Sequence, residues 1–351
     1  MANTSQIFHY NGTFTTESGY VLHQPDIAYK SWGRLNENRD NVVLICHALT
    51  GNTEADDWFY GFFEHNDIIN LDEQFVLCIN VPGSCYGSTG PQSINPKTGQ
   101  QYSGDFPIVS IRDMVRFQQI LLDEWKISGI ELAMGGSMGG MQVLEFLVMD
   151  ERIHSAVVIG MNKAHSAWAI GLSETQRQAI YADSNWNNGY YSPDAQPKKG
   201  LSTARMMAML SYRTWQSMED RFSRERRNDS GNFQIESYLN YQGKKLVDRF
   251  DALSYVRLTQ AMDLHDIARD RGTFQSVLNN INTPVLVIGI DTDLLYPVQE
   301  QKELAYLLGN GTYAEITSPH GHDAFLIEFD QMESVITPFL SQTSKKILSK
   351  P

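Results

Sequence analysis

The chain has 351 residues, a net charge of −13 at pH 7 and three cysteines, with 42% hydrophobic and 20% charged residues. This length can bury one large core, or one core with a smaller domain, and the acidic balance argues against nucleic acid as a partner. The sequence has no apolar run of membrane-spanning length, no signal-peptide pattern and no Cys/His spacing typical of a metal site. With so few cysteines, we expect a reduced, cytoplasmic protein. From the Cys/His spacing we expect no bound metal.

The first 160 residues alternate between strand and helix patterns. Residues 8–29 are typical of antiparallel edge strands, because polar and apolar residues alternate there. Residues 42–46 and 75–81 are continuous apolar runs, as expected for strands that are covered on both faces. Residues 111–125 carry apolar side chains at helical spacing. This alternation predicts an α/β protein with a mostly parallel, doubly wound sheet.

The segment 131–145 combines a strand, a sharp turn and a helix. A short apolar run stops at Gly135-Gly136, and apolar residues resume at helical spacing after Gly139. Ser137 lies at the turn, within the G-x-S-x-G pattern of the nucleophile elbow in α/β-hydrolase folds. Glycines are needed there because the strand and the helix nearly touch. The turn would raise the Ser137 hydroxyl above the sheet and leave the N–H of Met138 free to stabilise an oxyanion.

The pattern changes after residue 160. From 161 to 281 the buried apolar runs disappear, and helix-like segments such as 203–215 and 255–263 replace them. We predict a helical lid domain, residues 161–281, inserted into a core domain of residues 1–160 and 282–351. The last part of the core is predicted to contain a strand at 283–290, a helix at 298–308, a strand at 312–316 and a final helix at 332–340.

The partners of the serine are expected on loops after late strands, in the chain order serine, acid, histidine. Asp291 and Asp293 both follow the strand at 283–290, and Asp293 is favoured because it lies further into the loop. His320 and His322 both follow the last strand, and His322 is favoured because it follows a flexible glycine and precedes a helix-like run. The acid would orient the imidazole, and the imidazole would take the serine proton.

A second oxyanion donor is expected in the loop after the strand at 42–46. This loop reads His-Ala-Leu-Thr-Gly, residues 47–51. In α/β-hydrolases the corresponding loop contributes a backbone N–H to the oxyanion site. Here that donor would be an N–H near Leu49. The alternative is a simple turn that ends the strand.

Several stretches together resemble the homoserine O-acyltransferase family of α/β-hydrolase-fold enzymes, which supply methionine biosynthesis. They follow the family's order across nearly the whole chain: HALTG (47–51), GSTGP (87–91), GGSMGGMQ (135–142), ARM (204–206), SYR (211–213), DLLYPVQ (293–299) and GHDAF (321–325). The resemblance implies transfer of an acetyl group from acetyl-CoA, as co-substrate, to the hydroxyl of L-homoserine, without a cofactor. It also implies a homodimer formed through the lid helices.

The resemblance also implies roles for individual residues. It implies that Ser137, Asp293 and His322 form the catalytic triad. It further implies that Arg205 and Asp323 bind the amino-acid substrate, with Tyr212 near the same pocket. This is physically reasonable, because a guanidinium can clamp the carboxylate of homoserine and a carboxylate can accept hydrogen bonds from its ammonium group.

The implied mechanism is ping-pong. The donor thioester would acylate the serine, and homoserine would then accept the acyl group. The phosphates of CoA would need a basic cluster in this acidic protein, and the candidates are Lys198, Lys199, Arg213 and the group at 221–227. The lid would have to keep water away from the acyl-enzyme, because a wet site would act as a thioesterase.

Alternatives and departures remain open. Succinyl-CoA as donor, serine as acceptor, an esterase or thioesterase with the same triad, and a non-catalytic binding protein of this fold are all compatible with parts of the sequence. The chain also departs from the family at residues 52–58, NTEADDW, where the family pattern has a histidine-containing segment, and around residues 185–199. Both departures could affect the choice of donor or acceptor.

Overall fold

The computed structural model describes residues 4–64, 68–227 and 231–348, with side chains of the last helix described as far as Thr343. Its strands are β1 (Gln6–His9), β2 (Thr13–Thr15), β3 (Val21–His23), β4 (Asp26–Gly33), β5 (Val42–Cys46), β6 (Phe75–Ile79), β7 (Ile130–Gly136), β8 (Ala156–Ile159), β9 (Val285–Ile290) and β10 (Gly311–Ile316). Its helices are α1 (Ala55–Trp58), α2 (Tyr60–Glu64), α3 (Ile111–Glu124), α4 (Met138–Met149), α5 (Ala167–Tyr181), α6 (Lys198–Tyr212), α7 (Trp215–Phe222), α8 (Gln234–Val247), α9 (Ala252–Asp263), α10 (Phe274–Asn279), α11 (Val298–Leu307) and α12 (Phe329–Leu348).

One large sheet organises the molecule, with the strand order β1-β4-β6-β5-β7-β8-β9-β10 within the described residues. From β6 to β10 all neighbouring strands are parallel, whereas β4 pairs antiparallel with both β1 and β6. β2 and β3 form a separate antiparallel hairpin. The predicted mostly parallel, doubly wound sheet is confirmed.

The parallel strands are continuous apolar runs because helices cover both faces of the sheet. In β5, Val42, Leu44 and Cys46 point into one buried apolar cluster, while Val43 and Ile45 point into the other. The first cluster packs against α3, α4 and α9, and the second against α1, α2 and α12. The alternation along one short strand thus links two cores.

Helices α5 to α10 lie between β8 and β9, in the region predicted as the lid, and α6 packs against both α5 and α8. The prediction of one helix at 203–215 is wrong at its C-terminal end. α6 ends at Tyr212, and Thr214 caps a new helix, with its Oγ1 accepting the N–H of Ser217 at 3.0 Å. A threonine cap competes with helix continuation, which the apolar spacing alone did not reveal. No helix in the described ranges is long and apolar enough to cross a membrane.

The sheet brings four chain segments to one edge. β5, β7, β9 and β10 run parallel, so the residues that follow them emerge together at their carboxyl ends. β6 lies on one side of β5 and β7 lies on the other. The order of the strands therefore changes direction at β5, because the later strands β7 to β10 are added on the side opposite to β6. A crevice at such a switch of direction is the usual ligand site of an open α/β sheet.

Candidate active site

Ser137 follows β7 in a strained backbone conformation. Its φ is 56° and its ψ is −127°, in a region that residues with a side chain rarely occupy. A Cβ on Gly135 would lie 2.5 Å from the carbonyl carbon of Gly139, and one on Gly139 would lie 2.1 Å from Cys46 O. The two glycines therefore let α4 meet β5 and β7, as the elbow pattern predicts.

The serine is held by its backbone and not by its hydroxyl. The N–H of Ser137 donates to Ile159 O at 2.9 Å, and its carbonyl accepts the N–H of Met141 at 3.1 Å. Among the described residues, its Oγ forms no hydrogen bond of ordinary length. The hydroxyl is thus free to rotate, and contacts between nucleophile and base are commonly looser before substrate binds.

Asp293 and His322 form a buried pair beside this elbow. The imidazole Nδ1–H of His322 donates to Asp293 Oδ2 at 2.7 Å. The other oxygen, Asp293 Oδ1, accepts the N–H groups of Leu295 at 2.8 Å and Tyr296 at 3.0 Å. With both oxygens satisfied, the carboxylate is fixed in one orientation and leaves Nε2 of His322 as the free nitrogen of the ring.

The electrostatics favour an imidazole that readily takes a proton. Burial opposes the charged form of His322, but the charge of Asp293, its hydrogen bond and the charge of Asp323 outweigh burial, so the pKa of His322 is raised. Three aromatic rings pack around the imidazole: Tyr296, Phe325 and Tyr212 lie with ring centroids 5.3, 5.4 and 5.6 Å from it.

The end of β8 connects the serine to this pair. Ser137 bonds to Ile159, and a Cβ on the next residue, Gly160, would lie 3.4 Å from both Asp293 Oδ2 and the His322 ring. Gly160 has a positive φ of 54°. The structure therefore brings Ser137, Asp293 and His322 to one place.

The two alternative residues have other contacts. Asp291 is exposed and accepts the N–H of Ser318 at 3.0 Å. His320 Nδ1 lies 3.2 Å from Arg213 Nη1, on the side of its loop that faces the lid. Asp293 and His322, the residues that the sequence favoured, are thus the aspartate and the histidine that bond to each other.

Leu49 and Met138 each have a backbone N–H group without an acceptor among the described residues. Met138 is the first residue of α4, so its N–H has no acceptor within the helix. Leu49 is buried in the loop after β5, and its N–H donates to no group of the described chain. Two unbonded backbone N–H groups near an elbow serine can hold the oxygen of a tetrahedral intermediate.

The lid contributes a cation without a counter-ion. Arg205 on α6 is half-buried, lies 5.7 Å from the ring of Tyr212, and forms no ion pair with any described residue. Tyr212, at the end of the same helix, packs on His322. Arg205 is therefore available to bind an anionic group close to the catalytic histidine.

Asp323 is paired with Arg213, a partner that the sequence did not reveal. Arg213 Nε lies 2.9 Å from Asp323 Oδ2, although the N–H does not point along a hydrogen-bond direction. Thr214 Oγ1 donates to Pro319 O at 2.6 Å, next to this ion pair. The junction of α6 and α7 is therefore attached to the loop that carries His322. Spacing along the chain holds no signal for a contact across more than a hundred residues.

The segment at 52–58, which departs from the family pattern, has a structural explanation. Lys30 on β4 is almost fully buried and forms ion pairs with Glu54 and Asp56. Trp32 Nε1 donates to Asp56 at 3.2 Å, and Trp58 Nε1 donates to Asn52 O at 3.1 Å. The segment thus anchors the start of α1 to the edge of the sheet.

Within the part of the chain that the structure describes, no three His, Cys, Asp or Glu side chains are placed to hold a metal ion. The groups found here are a serine hydroxyl at an elbow, a buried histidine–aspartate pair and two backbone N–H groups, which is the set that covalent acyl chemistry uses.

Comparison with known proteins defines the class first. The family model for the alpha/beta hydrolase fold matches residues 41–329. The crystal structure of esterase E22 superposes with a TM-score of 0.85, at 24% identity, covering 96% of this chain and 99% of that chain. At that identity the likeness shows the fold alone, and the protein is an α/β-hydrolase-fold protein.

Closer relatives define the family. The chain is 49% identical to the homoserine O-acetyltransferase of Chlorobium chlorochromatii, over 95% of this chain and 94% of that protein. The crystal structure of homoserine O-acetyltransferase from Bacillus anthracis has a TM-score of 0.87 at 27% identity, covering 97% of this chain and 98% of that chain. The chain belongs to the homoserine O-acetyltransferase family, which confirms the resemblance carried by its motifs.

Proposed function

We propose that this protein transfers an acetyl group from acetyl-CoA to the side-chain hydroxyl of L-homoserine, through an acetyl ester on Ser137. The observation that carries the proposal is Arg205, which forms no ion pair with any described residue and packs on Tyr212, the ring that in turn packs on His322. A simple hydrolase has no need of a free cation at that place, whereas an enzyme that accepts an amino acid needs one for the carboxylate.

In the first half-reaction, His322 Nε2 takes the proton of Ser137, and Oγ bonds to the thioester carbonyl carbon. The N–H groups of Leu49 and Met138 hold the resulting oxyanion. The intermediate collapses as the C–S bond breaks, and His322 returns the proton to the CoA thiolate. Asp293 keeps the imidazole in the required tautomer and stabilises its charged form.

In the second half-reaction, homoserine enters with its carboxylate on Arg205 and its ammonium group on Asp323. Tyr212 packs beside both Arg205 and His322, and so limits where the acceptor hydroxyl can lie. His322 takes the proton of that hydroxyl, the new C–O bond forms, and the Ser137 oxygen leaves with the proton from His322. Free CoA and O-acetylhomoserine are the products.

The donor's phosphates need positive charge, and the predicted basic residues differ in their position and contacts. Lys198 and Lys199 start α6, about 20 Å along the helix from Tyr212. Arg213 is engaged with Asp323. Arg221 lies 5.1 Å from the rings of both Phe222 and Tyr238. It also lines a cavity of about 240 Å³, whose wall includes His320 from the loop that carries His322. We therefore propose Arg221 as the phosphate contact.

We further propose a cytoplasmic homodimer that serves methionine biosynthesis. The three cysteines are free, which supports a reducing compartment. The lid exposes Trp215, which is 75% accessible, and Leu210, which is 53% accessible. Leu294, also 53% accessible, lies next to them. Exposed large apolar side chains in one region are typical of an interface, and light scattering of the purified protein would give the assembly state.

The test of the proposed function is CoA release by the purified protein. Acetyl-CoA or succinyl-CoA is offered with homoserine, with serine or without an acceptor, and Ser137→Ala serves as the inactive control. We expect one equivalent of CoA per active site with acetyl-CoA alone, and sustained release over many turnovers only when homoserine is present. Equal release without an acceptor would instead identify a thioesterase and contradict the roles given to Arg205 and Asp323. Preference for succinyl-CoA or serine would refute the assigned donor or acceptor.

A further inference from the structure

A buried amide joins the two segments that carry the oxyanion donors. Gln142, one turn into α4, is fully buried, and its Nε2 donates to His47 O at 3.0 Å and to Met138 O at 3.2 Å. His47 O belongs to the loop that contains Leu49, and Met138 is itself a donor residue. A single –NH₂ group therefore bridges the two halves of the oxyanion site.

Gln118 on α3 satisfies the oxygen of this amide, while the two carbonyl groups fix its orientation. Gln118 is also fully buried, and its Nε2 donates to Gln142 Oε1 at 2.7 Å. The nitrogen of Gln142 must then face the two carbonyl groups, because a flipped amide would place its oxygen against both of them. In a buried site such unpaired acceptors are costly, so only one orientation is stable.

His47 holds the same loop from its other side. Its Nδ1–H donates to Ala48 O at 2.9 Å, and its Nε2 accepts the N–H of Val81 at 3.2 Å. Burial lowers the pKa of His47 to about 4, so the imidazole stays neutral and keeps this tautomer at neutral pH. The two carbonyls that precede Leu49 are therefore both hydrogen-bonded, and the N–H of Leu49 remains free.

We propose that Gln142 is a positioning residue for acyl transfer, which sets the spacing and direction of the N–H groups of Leu49 and Met138. Its amide touches neither substrate nor the reacting atoms and acts through the carbonyls of His47 and Met138. The oxyanion is stabilised only if both donors are in place before charge develops. The inference rests on the acylation half of the proposed function.

The experiment compares Gln142→Met with Gln118→Met. Both replace a fully buried glutamine by an apolar side chain of similar length, and each removes hydrogen bonds of the same network. Only Gln142→Met releases the two carbonyls beside the donors, so Gln118→Met is the matched control. Gln142→Glu, which has the same size but whose protonated carboxyl can donate to only one of the two carbonyls, is the second variant in case Gln142→Met does not fold.

Two readouts are measured with each variant. One is the rate constant for covalent labelling of Ser137 by a fluorophosphonate, which needs the oxyanion site but no amino-acid acceptor. The other is the inhibition constant of a trifluoromethyl ketone, which binds as an oxyanion. Thermal unfolding and the KM for acetyl-CoA report on structural damage and on ground-state binding.

We expect Gln142→Met to slow labelling, slow CoA release and weaken the ketone by about 10- to 100-fold, somewhat less than the loss of a whole oxyanion donor. The KM for acetyl-CoA stays close to its original value. Gln118→Met unfolds at a lower temperature but keeps rates close to those of the unmodified protein. Gln142→Glu behaves like Gln142→Met.

Labelling and inhibition in Gln142→Met that match those in Gln118→Met would overturn the inference, because the amide would then be only structural. This result is distinguishable from failure of the proposed function. A protein that is labelled normally but releases CoA without homoserine would lose its assigned acceptor, while the variants would still test Gln142. An unmodified protein that is not labelled at all would refute both the nucleophile and this inference.

Discussion

The site has two sides that differ in how completely they are held. On the core side, Ser137, Asp293 and His322 are 5%, 4% and 3% exposed, and the acid and the base are hydrogen-bonded to each other. On the lid side, Arg205 is half-buried and forms no ion pair within the described ranges, and Asp323 pairs with Arg213. The acid and the base of the core side are thus bonded to each other, whereas the positive charge of Arg205 on the lid side is not balanced by a described carboxylate.

This difference separates the two half-reactions. The bond-making steps of acylation use preorganised groups of the core, whose geometry costs no further ordering when the charge develops. Discharge to homoserine uses side chains of the lid, which gain their full set of contacts only with the zwitterion present. Changes to the triad should therefore slow both half-reactions, and loss of the Arg205 charge should slow only the second.

The largest effect is expected for Ser137→Ala. Removing the nucleophile should lower CoA release by at least ~10⁴-fold, because no acyl-enzyme can form. The Ser137 hydroxyl makes no hydrogen bond to the part of the chain that the structure describes, so thermal unfolding should hardly change. Retention of homoserine-dependent CoA release in this variant would mean direct transfer between the substrates and would remove the covalent intermediate from the mechanism.

Asp293→Asn should follow closely, with a loss of about 10³- to 10⁴-fold in kcat, because the imidazole would lose the partner that sets its tautomer. Asp291→Asn is the matched control, since Asp291 lies two residues away and its Oδ1 accepts the backbone N–H of Ser318, which an asparagine oxygen can also accept. Its kcat should stay near that of the unmodified protein. Equal losses in the two variants would contradict the assignment of the acid.

Arg205→Gln should act on the acceptor alone. Loss of a charged contact to the carboxylate should raise the KM for homoserine by about 10- to 100-fold. Labelling of Ser137 by a fluorophosphonate should be unchanged, because it does not involve the acceptor. Lys199→Gln, which removes an exposed charge at the far end of the same helix, provides the control in steady-state kinetics. A fall in labelling rate with Arg205→Gln would contradict the claim that Arg205 acts only in the transfer to homoserine.

A smaller, pH-dependent effect is expected at Asp323. His322 must be neutral to take the serine proton, so the rate of acylation falls at low pH, and the raised pKa of His322 places the midpoint above 6.5. The carboxylate of Asp323 contributes to this increase, so Asp323→Asn should move the midpoint to lower pH. Acylation by p-nitrophenyl acetate is the suitable assay because no acceptor takes part. An unchanged midpoint would show that Asp323 does not influence the base.

The core side could be predicted from sequence because each of its parts has a local signal. The glycines around Ser137 reflect backbone contacts within one turn, and the order of acid and histidine follows from the order of parallel strands. The apolar runs of β5, β6 and β9 indicate strands buried on both faces. The fold is confirmed, while the roles of the site residues and the division into core and lid domains remain predictions.

The lid side could not be derived in the same way. Arg205 and Asp323 were singled out only through family resemblance, because an arginine on a helix and an aspartate in a loop have no distinctive pattern. The pairing of Arg213 with Asp323 and the bridge made by Gln142 join residues far apart in the chain. Such contacts depend on tertiary packing, and no periodicity or turn signal reports them.

The most direct test of the account is the lifetime of the acyl-enzyme. The protein is mixed with acetyl-CoA, the reaction is quenched at intervals, and the acetyl ester on Ser137 is quantified by peptide mass spectrometry with and without homoserine. We predict that the ester accumulates with acetyl-CoA alone, decays slowly in water and disappears rapidly when homoserine is added, but not in Arg205→Gln at the same concentration. Decay at one rate with and without homoserine would contradict the account.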